Sequence, residues 1–146
     1  MTEKKKVLFL CTGNSCRSQM AEGWAHHFLN DTVDAYSAGV APHGLDPKAI
    51  ATMEDAGVDI TTQTSNHLDE YADITFDLVV TVCNNAAEAC PIFPGATRVH
   101  HQPFDDPPAL AKEVFTPLQV ANAYARVRNE IRDFVQKELP DLLDGN

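Results

Sequence analysis

The sequence predicts an α/β domain, a three-layer sandwich around a central parallel four-stranded sheet. Three observations carry this expectation. Short apolar runs alternate with stretches of helical period along the chain, the order of βαβ units. The strand-sized runs are apolar at successive positions, as buried strands are, and Val7-Leu8-Phe9-Leu10-Cys11 is the longest of them. No internal repeat, low-complexity tract or Gly/Ser linker interrupts the 146 residues, so 1–146 reads as one domain.

Lys6 to Leu10 is the first buried strand. Arg17 to Leu29 follows as a helix, with Met20, Trp24 and Phe28 recurring on one face. Val33 to Tyr36 reads as a second strand. Asp46-Pro47 opens the next helix as N-cap and first-turn proline, with Leu45 and Ile50 as a hydrophobic staple and Gly57 as the stop. Asp77 to Val82 is another buried strand that ends at Cys83, and Thr97 to His100 is a weaker one. Six of the nine prolines fall between Cys90 and Pro117, which predicts a stretch that is mostly loop. Thr116-Pro117 starts the last helix. Its stripe of Val120, Tyr124, Val127, Ile131 and Phe134 faces the core, and Pro140 is expected to end it.

Eleven Lys and Arg against twenty-one Asp and Glu leave a formal charge of −10. Such a mean field repels phosphates, which argues against a nucleic-acid or membrane-surface partner. Any anion site must therefore be built locally. The longest apolar run is too short to cross a bilayer, and behind Met1-Thr2-Glu3-Lys4-Lys5-Lys6 it falls short of a secretory leader. A cytoplasmic protein is expected. In that compartment Cys11, Cys16, Cys83 and Cys90 do not read as a static disulfide framework. Their spacing is also wider than that of the usual zinc knuckle. The six histidines (His26, His27, His43, His67, His100 and His101) show no metal spacing and receive no role.

The strongest motif is Cys11-Thr12-Gly13-Asn14-Ser15-Cys16-Arg17-Ser18, between a strand and a helix. Successive backbone N–H groups there can converge on one anion, and the helix N-terminus adds partial positive charge. Gly13 permits a backbone conformation that a side chain would obstruct. Arg17 offers a planar fork to two oxyanion oxygens. The same field stabilises a thiolate at Cys11, which makes a nucleophile aimed at a tetrahedral oxyanion. Cys16 lies in the cradle as a structural or protective thiol. Cys83 ends a buried strand on the side where Cys11 lies, and six residues separate it from Cys90. The pair reads either as a disulfide relay that closes after this segment rearranges, or as two buried thiols.

This motif, with Asp106-Pro107 far downstream, resembles the low-molecular-weight protein tyrosine phosphatases. Within that fold it is similar to the thioredoxin-coupled arsenate reductases. The closer match rests on residues 11–23, Tyr36-Ser37-Ala38-Gly39, Asp46-Pro47-Lys48-Ala49, 77–83, Cys90-Pro91 and Phe104-Asp105-Asp106-Pro107. The resemblance implies reduction of arsenate to arsenite, with phosphate or sulfate as site-occupying analogues. Thr12, Gly13, Asn14, Ser15, Cys16, Arg17 and Ser18 would hold the oxyanion. Cys11 would attack arsenic while Asp106 acts as general acid. Cys83 and then Cys90 would carry the disulfide outward to thioredoxin, the source of electrons. No organic cofactor or catalytic metal is implied, and a monomer is expected. Some members bind potassium through residues matching Asn14, Glu22, Ser37, Thr64 and an acidic residue. Here Asn66 stands at that last position, which predicts a weak site or none.

Two other readings use the same residues. A low-molecular-weight tyrosine phosphatase would share the cradle and the acid. It would have no use for a thiol pair, and Pro108-Ala109-Leu110 lacks the aromatic residues that would stack on phosphotyrosine. A non-enzymatic thiol sensor or arsenite-binding module would need neither Arg17 nor Asp106.

Overall fold

Strand β1 (Lys5–Cys11) sends Val7, Phe9 and Cys11 to one face and Leu8 and Leu10 to the other, and all five are buried. Such a strand needs neighbours on both edges. It lies between β2 (Val33–Gly39) and β3 (Leu78–Thr81), with β4 (Val99–His101) beyond β3. All pairings are parallel, in the order β2-β1-β3-β4. The chain leaves β1 toward one edge and later returns on its other side, so a crevice opens beyond the carboxyl end of β1. The computed structural model describes residues 4–84, 93 and 98–144.

Helices α1 (Arg17–Leu29), α2 (Pro47–Asp55) and α4 (Pro117–Asp133) share the core of the Val7–Phe9 face. Trp24 of α1 donates its indole N–H to the Arg128 carbonyl of α4 at 3.2 Å, which ties two of these helices together. The opposite face is covered by the 3₁₀ turn Leu68–Tyr71 and by aromatic side chains. Tyr36, Tyr71, Phe76 and Phe93 meet edge to face there over Leu8, Leu10 and Val79. The sheet is thus the middle of three layers.

Helix α2 begins and ends as its sequence dictates. The Asp46 carboxylate accepts from the Lys48 N–H at 3.0 Å, Pro47 occupies the first turn, and Gly57 takes φ +84° after the last turn. Strand β2 runs to Gly39 rather than to Tyr36. Its extra residues pair with the end of β1, and the Gly39 N–H bonds to the Asn66 carbonyl at 2.9 Å. Strand β3 is shorter than expected, although the N–H groups of Asp77 and Val82 still bond to β1 at 2.8 and 2.9 Å. Strand β4 begins at Val99; Thr97 lies outside the described residues.

Two expectations need correction. The proline-rich stretch contains a short helix, α3 (Pro107–Ala111), which like α2 has proline in its first turn, although the Asp106 side chain makes no cap bond and is left to face the cavity. Pro140 does not end the last helix. After α4 the ladder widens into a π turn (Phe134–Glu138), where the Leu139 N–H reaches back five residues to the Phe134 carbonyl. Helix α5 (Leu139–Leu143) then restarts with Pro140 in its first turn, where a missing N–H costs nothing.

Candidate active site

The loop between β1 and α1 wraps around Asn14, which is fully buried and takes φ +47°. Asparagine tolerates that left-handed conformation better than most side chains. Every polar group of Asn14 that the turn exposes finds a partner. Its Oδ1 accepts from the Asn66 N–H at 2.7 Å, and its carbonyl accepts from Ser65 Oγ at 2.8 Å and Gln19 Nε2 at 3.0 Å. Its Nδ2 donates to Ser18 Oγ at 2.8 Å. Ser18 Oγ lies 3.0 Å from Cys11 Sγ. The serine hydroxyl, which accepts from Asn14, has both a proton and a second lone pair to offer the sulfur.

Two glycines allow the loop to form, for reasons other than the one expected at Gly13. A methyl at Gly13 would lie 2.2 Å from His43 Nε2, so its missing side chain makes room for an imidazole. A methyl at Gly39 would lie 2.4 Å from the Thr12 carbonyl, where the end of β2 presses on the cradle backbone. Sequence reasoning missed both packing roles.

The start of α1 has no side-chain cap and no acidic residue in its first turn. Its dipole therefore faces the cavity without competition. Arg17 is buried; its Nη1 donates to the Phe104 carbonyl at 3.2 Å, and its Nε lies 3.6 Å from Asp106 Oδ1. The neighbouring Asp105 turns away. Its carboxylate accepts from Arg126 Nη2 at 3.0 Å and Asn84 Nδ2 at 3.2 Å, so only the second aspartate of the pair faces the site. Cys11, Thr12, Gly13, Ser15, Cys16, Arg17 and Asp106 line one cavity of about 260 Å³. The fold thus brings together the Cys11 thiol, the Arg17 guanidinium and the Asp106 carboxyl, which stand 95 positions apart at their extremes.

Burial, followed by the charges of Asp46, Asp106 and Cys11, pushes the Cys16 thiol well up, with Arg17 opposing. Cys16 therefore holds its proton at neutral pH. Cys83 is fully buried just past β3, with Sγ 3.8 Å from the carbonyl of Leu10, the residue before Cys11. Cys11, Cys16 and Cys83 are free thiols. Cys90 lies outside the described residues.

The expected potassium ligands are engaged with one another. Ser37 donates to Glu22 at 2.6 Å, Thr64 donates to Asn66 Oδ1 at 2.7 Å, and Asn66 Nδ2 donates to Glu70 at 3.1 Å. Burial raises the Glu22 carboxyl, against the Ser37 hydrogen bond and His26. Ser37 thus pairs with Glu22 and Thr64 with Asn66, while Asn66 also reaches outside the set to Glu70 and brings an amide rather than a carboxylate to it. Among the described residues no cluster of three or more His, Cys, Asp or Glu could hold a metal. No helix among them is long and apolar enough to cross a membrane.

A thiol, a guanidinium, a carboxyl and the open N-terminus of a helix around one cavity form a set suited to displacement at a tetrahedral oxyanion. Residues 6–144 match the model of the low molecular weight phosphotyrosine protein phosphatase family. The chain belongs to that family. Within it, the chain is 46% identical over 134 residues to an arsenate reductase of Bacillus licheniformis, covering 92% of this chain and 94% of that one. It is 47% identical over 129 residues to an arsenate reductase of Bacillus subtilis, covering 88% and 91%. A solved arsenate reductase in a phosphate-binding state superposes with a TM-score of 0.76 at 30% identity, covering 97% of this chain and 98% of that one.

Proposed function

We propose that this family member reduces arsenate to arsenite with electrons from thioredoxin, as a detoxifying enzyme. Arsenate docks on the N–H groups of residues 12–18 and the Arg17 fork. The Cys11 thiolate bonds to arsenic, and an As–OH bond breaks as Asp106 supplies the proton that lets the oxygen leave as water. The Cys83 thiolate then attacks the Cys11 sulfur. The sulfur–sulfur bond forms, the sulfur–arsenic bond breaks, and its electron pair stays on arsenic, which leaves as arsenite. Two thiols have lost two electrons and arsenic has gained them. Cys90 next attacks Cys83, freeing Cys11, and the thioredoxin dithiol reduces the Cys83–Cys90 disulfide.

The observation that carries this reading is the place of Cys83, at the end of the strand beside β1 and against the carbonyl that precedes Cys11. A hydrolytic phosphatase needs the cradle and the acid but no thiol at this place. The cradle and acid also support slow hydrolysis of a small aryl phosphate as a side reaction. The reading involves no resident metal, and it treats the Asn14–Glu22–Ser37–Thr64–Asn66 cluster as structural. Its setting is the cytoplasm, with the chain acting as a monomer.

The test is arsenate turnover coupled to thioredoxin, thioredoxin reductase and NADPH, measured beside p-nitrophenyl phosphate hydrolysis. Turnover with arsenate that disappears in Cys11→Ser is expected. Hydrolysis without arsenate reduction would make the protein a phosphatase.

A further inference from the structure

We propose that His43 determines the ligand specificity of the oxyanion pocket, its imidazole admitting a free tetrahedral oxyanion and hindering an esterified one. The ligand class rests on the arsenate reading above. Two backbone bonds strap this segment to the cradle: the Ala41 N–H bonds to the Thr12 carbonyl at 3.0 Å and the His43 N–H to the Gly13 carbonyl at 3.2 Å. The ring then lies directly over Gly13, where an added methyl would meet Nε2 at 2.2 Å and Cδ2 at 2.8 Å. It lines the same cavity as Cys11, Arg17 and Asp106. Cys11 is only 3% exposed on the floor of that cavity, whereas His43 is exposed, so the imidazole belongs to the rim.

The chemical consequence follows from position. A free oxyanion seated on the cradle keeps an outward oxygen that can accept a hydrogen bond from a ring N–H. In a phosphate ester that oxygen carries carbon and accepts poorly, and its substituent must leave past the rim on which the ring stands. Removing the imidazole therefore acts in opposite directions on the two ligand classes. A merely structural residue would move both the same way.

The measurement uses the intact protein with p-nitrophenyl phosphate as ester and inorganic phosphate as free oxyanion. His43→Ala is expected to raise kcat/KM for the ester and to weaken competitive inhibition by phosphate. The ratio should shift by about 10-fold, the scale of one pocket contact. His43→Gln, which keeps a donor, should restore most of the phosphate affinity. In the unmodified protein, the His43 ring proton resonances should titrate with inorganic phosphate to saturation. An unchanged ratio, a parallel change in both ligands, or ring resonances unmoved at saturation would overturn the proposal. Thioredoxin-coupled arsenate turnover of the unmodified protein, run in parallel, separates the two claims. Its absence would remove the arsenate reading and leave the phosphate-selectivity result to stand or fall by itself.

Discussion

At the scale of single residues, the site depends on which proton goes where. Asn14 Nδ2 donates to Ser18 Oγ, which in turn lies within hydrogen-bond reach of Cys11 Sγ. Asp106 is the member of its pair left facing Arg17, because Arg126 and Asn84 hold Asp105. Replacing Asp106 with Asn should slow formation of the first covalent intermediate by about 100-fold or more, the usual worth of a positioned acid. Rapid-quench single-turnover kinetics with arsenate would read this directly, and an unchanged rate would place the acid elsewhere. Glu22 offers a different test. Burial raises its carboxyl above the ordinary value of about 4.3, so the folded form holds its proton more tightly than the unfolded chain does. Stability from this group is therefore present at low pH and is lost as pH rises through that window. Glu22→Gln should melt higher than the parent at pH 7, with the gap closing below about pH 4. Thermal melts at both pH values settle it, and a variant that melts lower at pH 7 would contradict the sign.

At the scale of elements, β1 and β3 place two sulfurs, Cys11 and Cys83, at neighbouring strand ends. Cys83 is fully buried, so thioredoxin cannot reach it in this conformation. The proposed relay therefore predicts that Cys83 becomes accessible during turnover and that the Asn84–Asp105 bond next to Asp106 is broken. Cys90→Ser should release one arsenite per enzyme and stop with Cys11 joined to Cys83. Cys83→Ser should stall earlier, at the arsenic adduct. Both variants should retain aryl phosphate hydrolysis, since neither thiol belongs to the cradle. Mass spectrometry of the species trapped after one turnover distinguishes these states, and normal multiple turnover by Cys90→Ser would break the relay. Element ends also show how much local sequence encodes. The Asp46-Pro47 start of α2 was legible from cap chemistry, and the same pattern at Asp106-Pro107 could have disclosed α3. The passage through Pro140 was not legible, because the π turn that accommodates it depends on how Phe134, Val135 and Leu139 pack into the core.

At the scale of the whole molecule, a charge of −10 surrounds a pocket built to attract an anion. Helix α1 and Arg17 must act at short range against that field, and the buried loop keeps them from being screened. Any alkali cation will relieve the general repulsion by screening, without distinction between ions. A specific potassium effect would need these oxygens to be shared with the cation, and Asn66 brings no carboxylate charge to attract it. At equal ionic strength, potassium and sodium should therefore give equal turnover and melting temperatures within about 1 °C, well under the several degrees that 1 kcal/mol of specific binding would produce. A clear gain in potassium alone would show that the cluster opens to bind it.

The sequence by itself determined the strand–loop–helix around Cys11 and Arg17, the cap of α2 and the buried strands, whereas Asp106 was singled out by the family resemblance. The loop, the cap and the strands are each encoded by residues within a turn or two of one another, where backbone geometry and side-chain type suffice. Tertiary structure decided the rest. It set Asp106 rather than Asp105 beside Arg17, pressed Gly39 against the cradle backbone, sealed Cys83 beneath the sheet end, and laid His43 over Gly13. These are contacts between elements far apart in the chain. Their reach and orientation follow from how β1, β2 and β3 stack side by side, which no local pattern contains.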